Sequence, residues 1–177
     1  MEIAGDLCIT SKATAHRSIH RVIKALVEIK NEHIFMPDEN QFADLAAEFE
    51  KTAGFPGVIG CVDGTHVPIY VPMNDISETF RCRKGFFSLN VQMICGPGPS
   101  CEVFDIDASW PGSGHDATIW ARSDICAKIR RNLPHQNYHF LGDSAYPLET
   151  YLMVPYKMAE GQLKRNINKM QFEFKLI

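Results

Sequence analysis

One apolar stretch, from Val58 to Ile69, carries a single carboxylate in its middle, that of Asp63. The branched side chains of this stretch favour a buried strand, because they pack well on a pleated surface. An unpaired carboxylate is costly to bury, so an aspartate in such a strand indicates that something binds it. Gly64 follows directly, and it permits a bulge or the close approach of a phosphate backbone or an ion.

A second stretch, residues 138 to 147, likewise combines an apolar run with one aspartate beside a glycine. A short apolar run ends at Asp143, beside Gly142, and Pro147 prevents the strand from continuing. Two aspartates on two hydrophobic strands predict a carboxylate pair that holds a divalent cation. Carboxylate oxygens suit Mg²⁺ or Mn²⁺, which keep several waters and bind phosphate oxygens. The alternative is that each aspartate only caps a strand end or a turn.

Length and composition limit the other classes of protein that the chain could belong to. Its 177 residues, 45% of them hydrophobic, suffice for one domain with a core and a small appendage. The apolar runs are too short to span a bilayer, and no signal-like leader opens the chain, so we expect an intracellular protein without a membrane partner. The six cysteines contain no C-x-x-C pair, which predicts reduced thiols rather than a zinc site.

The first 50 residues are predicted to form a helical segment. Residues 3 to 29 are expected to form two helices with a short break, the second capped by Thr10 or Ser11, and residues 37 to 50 a further helix. This pattern suggests a partial helix-turn-helix, whose second helix could enter the major groove of DNA. The DNA-binding candidates on it are Ser11, Lys12, Arg17 and Arg21. The alternative is an amphipathic helix that packs on the catalytic body.

Residues 54 to 177 are predicted to form an α/β domain. The predicted order is the Asp63 strand, two strands joined by a hairpin turn, a helix over 117–130, the Asp143 strand and a short helical stretch to Leu152. This is the order of a ribonuclease-H-like mixed sheet flanked by helices, in which the first and fourth strands are neighbours. That topology would bring the two aspartates together.

A third aspartate, Asp116, stands in the tight loop before the predicted helix. An aspartate at this position can cap the helix by accepting hydrogen bonds from backbone amides such as those of Thr118 and Ile119. We therefore expect Asp116 to be the N-cap. The alternative is that its carboxylate turns towards Asp63 and Asp143 and joins a metal site.

Four sequence blocks occur in the order Gly57–His66, Arg83–Asn90, Trp110–Ala117 and Leu141–Pro147. Together they resemble the PIF/Harbinger-type DDE transposase family, which includes the domesticated Harbinger transposase-derived nucleases. The blocks cover roughly residues 54 to 156, and residues 5–14 resemble the helix-turn-helix of the same family, entered partway through.

The resemblance implies a metal-dependent nuclease and strand-transfer enzyme that acts on DNA. Asp63 and Asp143 match the first and second catalytic aspartates, which would hold Mg²⁺ or Mn²⁺, and Asp116 matches a recurrent aspartate that is an additional candidate. Arg83 and Lys84 match positions near the DNA backbone. The resemblance also implies a nuclear location, with the cytoplasm as an alternative, and a Myb-like DNA-binding partner protein. A homo-oligomer is a further expectation.

The third acid of the family is a glutamate on a downstream helix. Aligning Asn168 with the asparagine that precedes this glutamate puts the expected position just past Ile177, and Glu173 comes too early. We therefore expect a domain that is truncated at both ends and nicks DNA weakly by itself. Strong nicking would instead mean that Glu149, Glu160 or Glu173 supplies the third acid. The alternative function is an inactive remnant that binds DNA or a protein, or a fragmentary gene product.

Overall fold

The computed structural model describes residues 11–70, 77–98, 102–133 and 137–155. The chain divides into two units, residues 1–35 and residues 36–177. None of the helices in the described ranges is both long and apolar enough to cross a membrane.

The described part of the first unit contains one long helix, α1 (Lys12–His33). Ser11 caps it, because its hydroxyl accepts a hydrogen bond from the backbone N–H of Thr14 at 3.2 Å. The prediction of a helix start at this point is confirmed. The shorter helix expected before it lies outside the described residues.

Five strands form one mixed sheet in the second unit. They are β1 (Val58–Pro68), β2 (Ser88–Cys95), β3 (Val103–Pro111), β4 (His139–Gly142) and β5 (Leu152–Met153). Their order across the sheet is β3-β2-β1-β4-β5. β1 pairs antiparallel with β2, and β2 antiparallel with β3, which confirms the predicted meander. β4 lies beside β1 and runs parallel to it, which confirms that the first and fourth strands are neighbours.

In the described part of the second unit three α-helices accompany the sheet: α2 (Phe42–Ala53), α3 (Asp116–Arg122) and α4 (Asp124–Asn132). The prediction of one continuous helix over 117–130 was wrong, because Ser123 interrupts it. Its hydroxyl donates to the carbonyl oxygen of Trp120 at 2.8 Å and accepts from the backbone N–H of Cys126 at 3.2 Å. One buried serine therefore ends α3 and caps α4.

The short helix expected as far as Leu152 is also absent. Leu152 instead belongs to β5, which pairs parallel with β4 and places Leu152 opposite Phe140. Both side chains are fully buried. A sheet edge formed by residues that are distant in sequence outweighs local helix propensity here.

The core stops where the candidate site begins. In β1 the residues from Val58 to Val62 are buried, and the strand becomes progressively more exposed from Asp63 onwards. The largest buried cluster joins the sheet to α2, α3 and α4 through Phe42, Ile59, Val62, Ile94, Phe104, Trp120, Ile129, Phe140 and Leu152, among others. The close packing of this cluster gives the two aspartate-bearing strand ends a rigid support.

Candidate active site

The register of the parallel strands places Asp63 and Asp143 side by side. Val62 pairs with Gly142, and each aspartate is the next residue of its chain segment. One carboxylate oxygen of Asp63 accepts from the N–H of Gly64 at 2.8 Å, and one of Asp143 accepts from the N–H of Ala145 at 2.8 Å. Asp63, within β1, and Asp143, directly after β4, are therefore neighbours, as the predicted strand order required.

The predicted N-cap role of Asp116 was wrong. α3 begins at Asp116 itself and His115 is its N-cap residue, so Thr118 and Ile119 donate their backbone N–H groups to the carbonyl oxygen of His115, at 2.8 and 3.0 Å. The Asp116 carboxylate instead accepts a hydrogen bond from the side-chain amide of Asn90 at 2.9 Å. The helix starts one residue earlier than predicted, and the Asp116 carboxylate therefore does not cap it.

The Asp116 carboxylate lies against the backbone of β1. A Cβ atom added to Gly64 would stand 2.7 Å from Oδ1 of Asp116 and 3.2 Å from Oδ1 of Asn90. Real Cβ atoms essentially never stand at the first of these distances, so any side chain at position 64 would have to displace the Asp116 carboxylate. This approach brings the third carboxylate beside the residue that follows Asp63.

Replacing Gly64 with alanine is expected to destabilise the protein by about 1–3 kcal/mol, because the new methyl group must displace the Asp116 carboxylate. Urea unfolding followed by circular dichroism measures this cost. In an Asp116→Ala background the methyl group meets less obstruction, so the same substitution should cost less than about 0.5 kcal/mol. Equal costs in the two backgrounds would contradict the contact between Asp116 and β1.

Tyr146 connects the three aspartates electrostatically. Burial raises the pKa of its phenol above the usual value, and the charges of Asp116, Asp63 and Asp143 raise it further. The side chain is only 5% exposed and packs edge-on against Trp120, with 6.2 Å between ring centroids. Carboxylates from β1, from the start of α3 and from the end of β4 therefore all act on one buried hydroxyl.

Sequence reasoning missed Asn90 as a site residue. It is 2% exposed, and its side-chain N–H groups donate to the carbonyl oxygen of Gly114 at 3.0 Å and to Asp116 at 2.9 Å. The available signal was a polar asparagine within the apolar strand Leu89–Cys95, since such a residue requires buried partners. Tyr146 was missed too, although it belongs to the same sequence block as Asp143.

The two basic candidates of the second unit lie in the loop before β2. Arg83 donates to Nδ1 of His115 at 2.5 Å, which joins this loop to the segment that starts α3. Arg83 therefore lies next to the residue that precedes Asp116, and both Arg83 and Lys84 are exposed.

The remaining candidates belong to the first unit. Ser11 is the helix cap, and Arg17 donates to the hydroxyl of Thr14 at 3.3 Å. Arg17 and Arg21 are exposed and stand one helical turn apart on α1, and Lys12 is its first residue.

The donor set suits a hard cation. Within the described ranges no three His, Cys, Asp or Glu side chains are close enough to hold a metal ion by themselves. Mg²⁺ is commonly held by one or two carboxylates, with water and substrate phosphate completing its shell, so the Asp63 and Asp143 pair fits this ion. Glu149 is engaged elsewhere, by Arg130 at 3.1 Å, and Glu160 and Glu173 lie outside the described residues.

Comparison with known proteins identifies relatives of this chain. The model of a family described as DDE superfamily endonuclease matches residues 62–175, a range that includes all three aspartates. The Rattus norvegicus protein named "Putative nuclease HARBI1" is 34% identical over 166 residues, which cover 93% of this chain and 46% of that protein. The Homo sapiens protein of the same name is 35% identical over 165 residues, with the same coverage.

A more distant relative is the Arabidopsis thaliana "Protein ALP1-like", which is 23% identical over 170 residues, or 89% of this chain and 41% of that protein. The chain thus spans less than half the length of these relatives. No solved structure gives a significant match.

Proposed function

Because the chain belongs to the Harbinger-type DDE superfamily endonucleases, we propose that it is part of a transposase-derived, metal-dependent nuclease that cleaves DNA phosphodiester bonds. One observation carries the proposal: the pairing of β1 with β4 makes Asp63 and Asp143 neighbours, and the Asp116 carboxylate lies against Gly64, the residue after Asp63. Carboxylates brought together from distant parts of a chain repel one another, so their assembly is typical of a site that binds a cation.

We further propose a ribonuclease-H-like arrangement for the second unit. The strand order β3-β2-β1-β4-β5, with an antiparallel meander followed by strands parallel to β1, supports it. For the first unit, the Ser11-capped helix α1 supports a helix-turn-helix remnant. In this remnant the DNA contacts would come from Ser11, Lys12, Arg17 and Arg21.

In this proposal Asp63 and Asp143 hold Mg²⁺ or Mn²⁺, and Asp116 is the additional acid. A bound cation of this kind activates a water or a DNA 3′-hydroxyl and stabilises the leaving oxygen. Asn90 holds the Asp116 carboxylate in place, because it donates to that carboxylate and to the backbone oxygen of Gly114 at the same time. The rigid strands β1 and β4 fix the other two carboxylates.

Arg83 and Lys84 are proposed to contact DNA phosphates. Arginine binds phosphate oxygens through paired N–H donors, and such contacts fix the register of the duplex without reading its sequence. The contact with His115 holds the Arg83 guanidinium beside the residue that directly precedes Asp116. A phosphate held there would lie near the three aspartates.

A plasmid-nicking assay tests the proposed function. Supercoiled DNA is incubated with Mn²⁺ and either the 177-residue chain or a longer version that continues through the family's glutamate-bearing helix. We expect weak nicking by the first and stronger nicking by the second, and both should stop when EDTA removes the cation. Nicking by neither version, or nicking that persists in EDTA, would overturn the proposal.

A further inference from the structure

The hydroxyl of Tyr146 is buried and has no hydrogen-bond partner among the described residues. Leaving such a group unsatisfied destabilises the folded protein, because the hydroxyl loses its hydrogen bonds to water and gains none in return. The ring is held on several sides. It packs against Trp120, its backbone N–H donates to the carbonyl oxygen of Asp143 at 3.2 Å, and a Cβ added to Gly142 would touch it at 3.3 Å. The hydroxyl is therefore fixed in a position where the described part of the chain gives it nothing to bind.

The same fold does provide a partner for another buried phenol. Tyr151 is 6% exposed and belongs to the same core cluster as Tyr146, and its hydroxyl accepts a hydrogen bond from Arg130 at 2.6 Å. Other buried polar atoms of the described residues also lack a partner, among them Nε1 of Trp120 and the side-chain amide of Gln92, but of these two buried phenols only that of Tyr146 does. The difference lies in the surroundings, since the charged groups that act on Tyr146 are the two candidate metal ligands Asp63 and Asp143 and the additional acid Asp116.

A tyrosine phenol is protonated at neutral pH and can therefore donate a hydrogen bond. The acceptor that this donor lacks must be an oxygen atom that is compatible with a site of high negative charge. Oxygens bound to a divalent cation meet this condition, because the cation offsets the charge of the carboxylates.

We infer that the Tyr146 hydroxyl donates a hydrogen bond to an oxygen that enters the site with the divalent cation, as a water of its hydration shell or as a phosphate oxygen. Tyr146 is then a positioning residue, which orients a ligand of the cation without binding the cation itself. The inference rests on the proposed function and deepens it. It also accounts for a buried hydroxyl that packing alone leaves unsatisfied.

The test compares Tyr146→Phe with Tyr151→Phe in the full 177-residue chain, with Mn²⁺ as the probe. Electron paramagnetic resonance of free Mn²⁺ gives the affinity, and thermal unfolding without metal gives the stability. We expect Tyr146→Phe to weaken Mn²⁺ binding about tenfold or more, the usual effect of losing a partner of a metal ligand. Its melting temperature should stay equal or rise, because a buried unsatisfied group has been removed.

Tyr151→Phe should behave in the opposite way, with a lower melting temperature and unchanged Mn²⁺ affinity, because it loses only the bond to Arg130. Mn²⁺ affinity that is unchanged in Tyr146→Phe both without and with inorganic phosphate would overturn the inference while leaving the proposed function intact. Absence of saturable Mn²⁺ binding by the unmodified chain would overturn both.

Inorganic phosphate distinguishes the two sources of the oxygen. A loss of affinity in Tyr146→Phe that is present without phosphate supports a metal-bound water, and a loss that appears only with phosphate supports a phosphate oxygen.

A second measurement does not require removal of the hydroxyl. 3-Fluorotyrosine at position 146 should show a ¹⁹F shift on addition of Mg²⁺ that the same label at position 151 does not show, and its absence would count against the inference.

Discussion

Replacing Asp63 with asparagine is expected to reduce Mn²⁺-dependent DNA nicking by about a thousandfold or more, equivalent to about 4 kcal/mol of activation free energy. Asparagine keeps the shape of the side chain and removes its charge, so the cation loses an anionic ligand while the strand stays intact. Saturable Mn²⁺ binding should be lost in parallel. The measurements are the initial rate of plasmid nicking, in the version of the chain that nicks more strongly, and an Mn²⁺ titration.

The Asp63→Asn substitution should not lower the stability of the folded protein. Asp63 lies in the same charged cluster as Asp116 and Asp143, so removing its charge relieves repulsion, and the melting temperature without metal should stay equal or increase. Asp44→Asn is the matched control, because Asp44 is exposed in the first turn of α2, and it should leave nicking unchanged. A nicking rate in Asp63→Asn that equals the rate of this control would remove Asp63 from the site.

Replacing Trp120 with alanine is expected to lower the free energy of unfolding by about 3–5 kcal/mol. Its side chain is fully buried and belongs to the cluster that joins α3 to the sheet. Alanine would leave a cavity the size of an indole ring and remove the edge-on contact with Tyr146. Because domains of this size are stable by about 5–15 kcal/mol, a large part of the total would be lost. Urea unfolding followed by circular dichroism measures it.

The second tryptophan of the chain supplies the control. Trp110 is partly exposed at the end of β3, and its indole N–H donates to Asp107 at 3.1 Å. Trp110→Ala should cost about 1 kcal/mol, mainly through the lost hydrogen bond. If the two alanine substitutions cost the same, α3 does not depend on Trp120 for its attachment.

The positions of Asp63 and Asp143 on their strands could be predicted because the signal is local. A carboxylate that stands beside a glycine and directly after an apolar run indicates a buried strand with a polar position on it, and this pattern occurs at Asp63, within β1, and at Asp143, just after β4. The pairing of the two strands followed from the order of the elements along the chain. Neither step required knowledge of a contact between distant side chains.

The orientation of Asp116 could not be obtained in the same way. An N-cap and a first helical residue differ by one position, and sequence patterns place helix ends only to within a few residues. The deciding contacts come from Asn90, which is 26 residues from Asp116 in sequence, and from Gly64 in β1. β5 escaped prediction for a related reason, since two residues form a strand only when a neighbour such as β4 is already in place.

The pairing of β1 with β4 also determines when the protein can fold during its synthesis. The partners are about 80 residues apart in sequence, whereas the meander of β1, β2 and β3 is joined by shorter connections. At about 5–20 residues per second, Asp143 leaves the ribosome about 4–16 s after Asp63. Throughout this interval β1 has an open edge on the side that β4 will occupy, and an open edge invites pairing with another chain. Until β4 has been made, the nascent chain can therefore pair wrongly along the strand that carries its first aspartate.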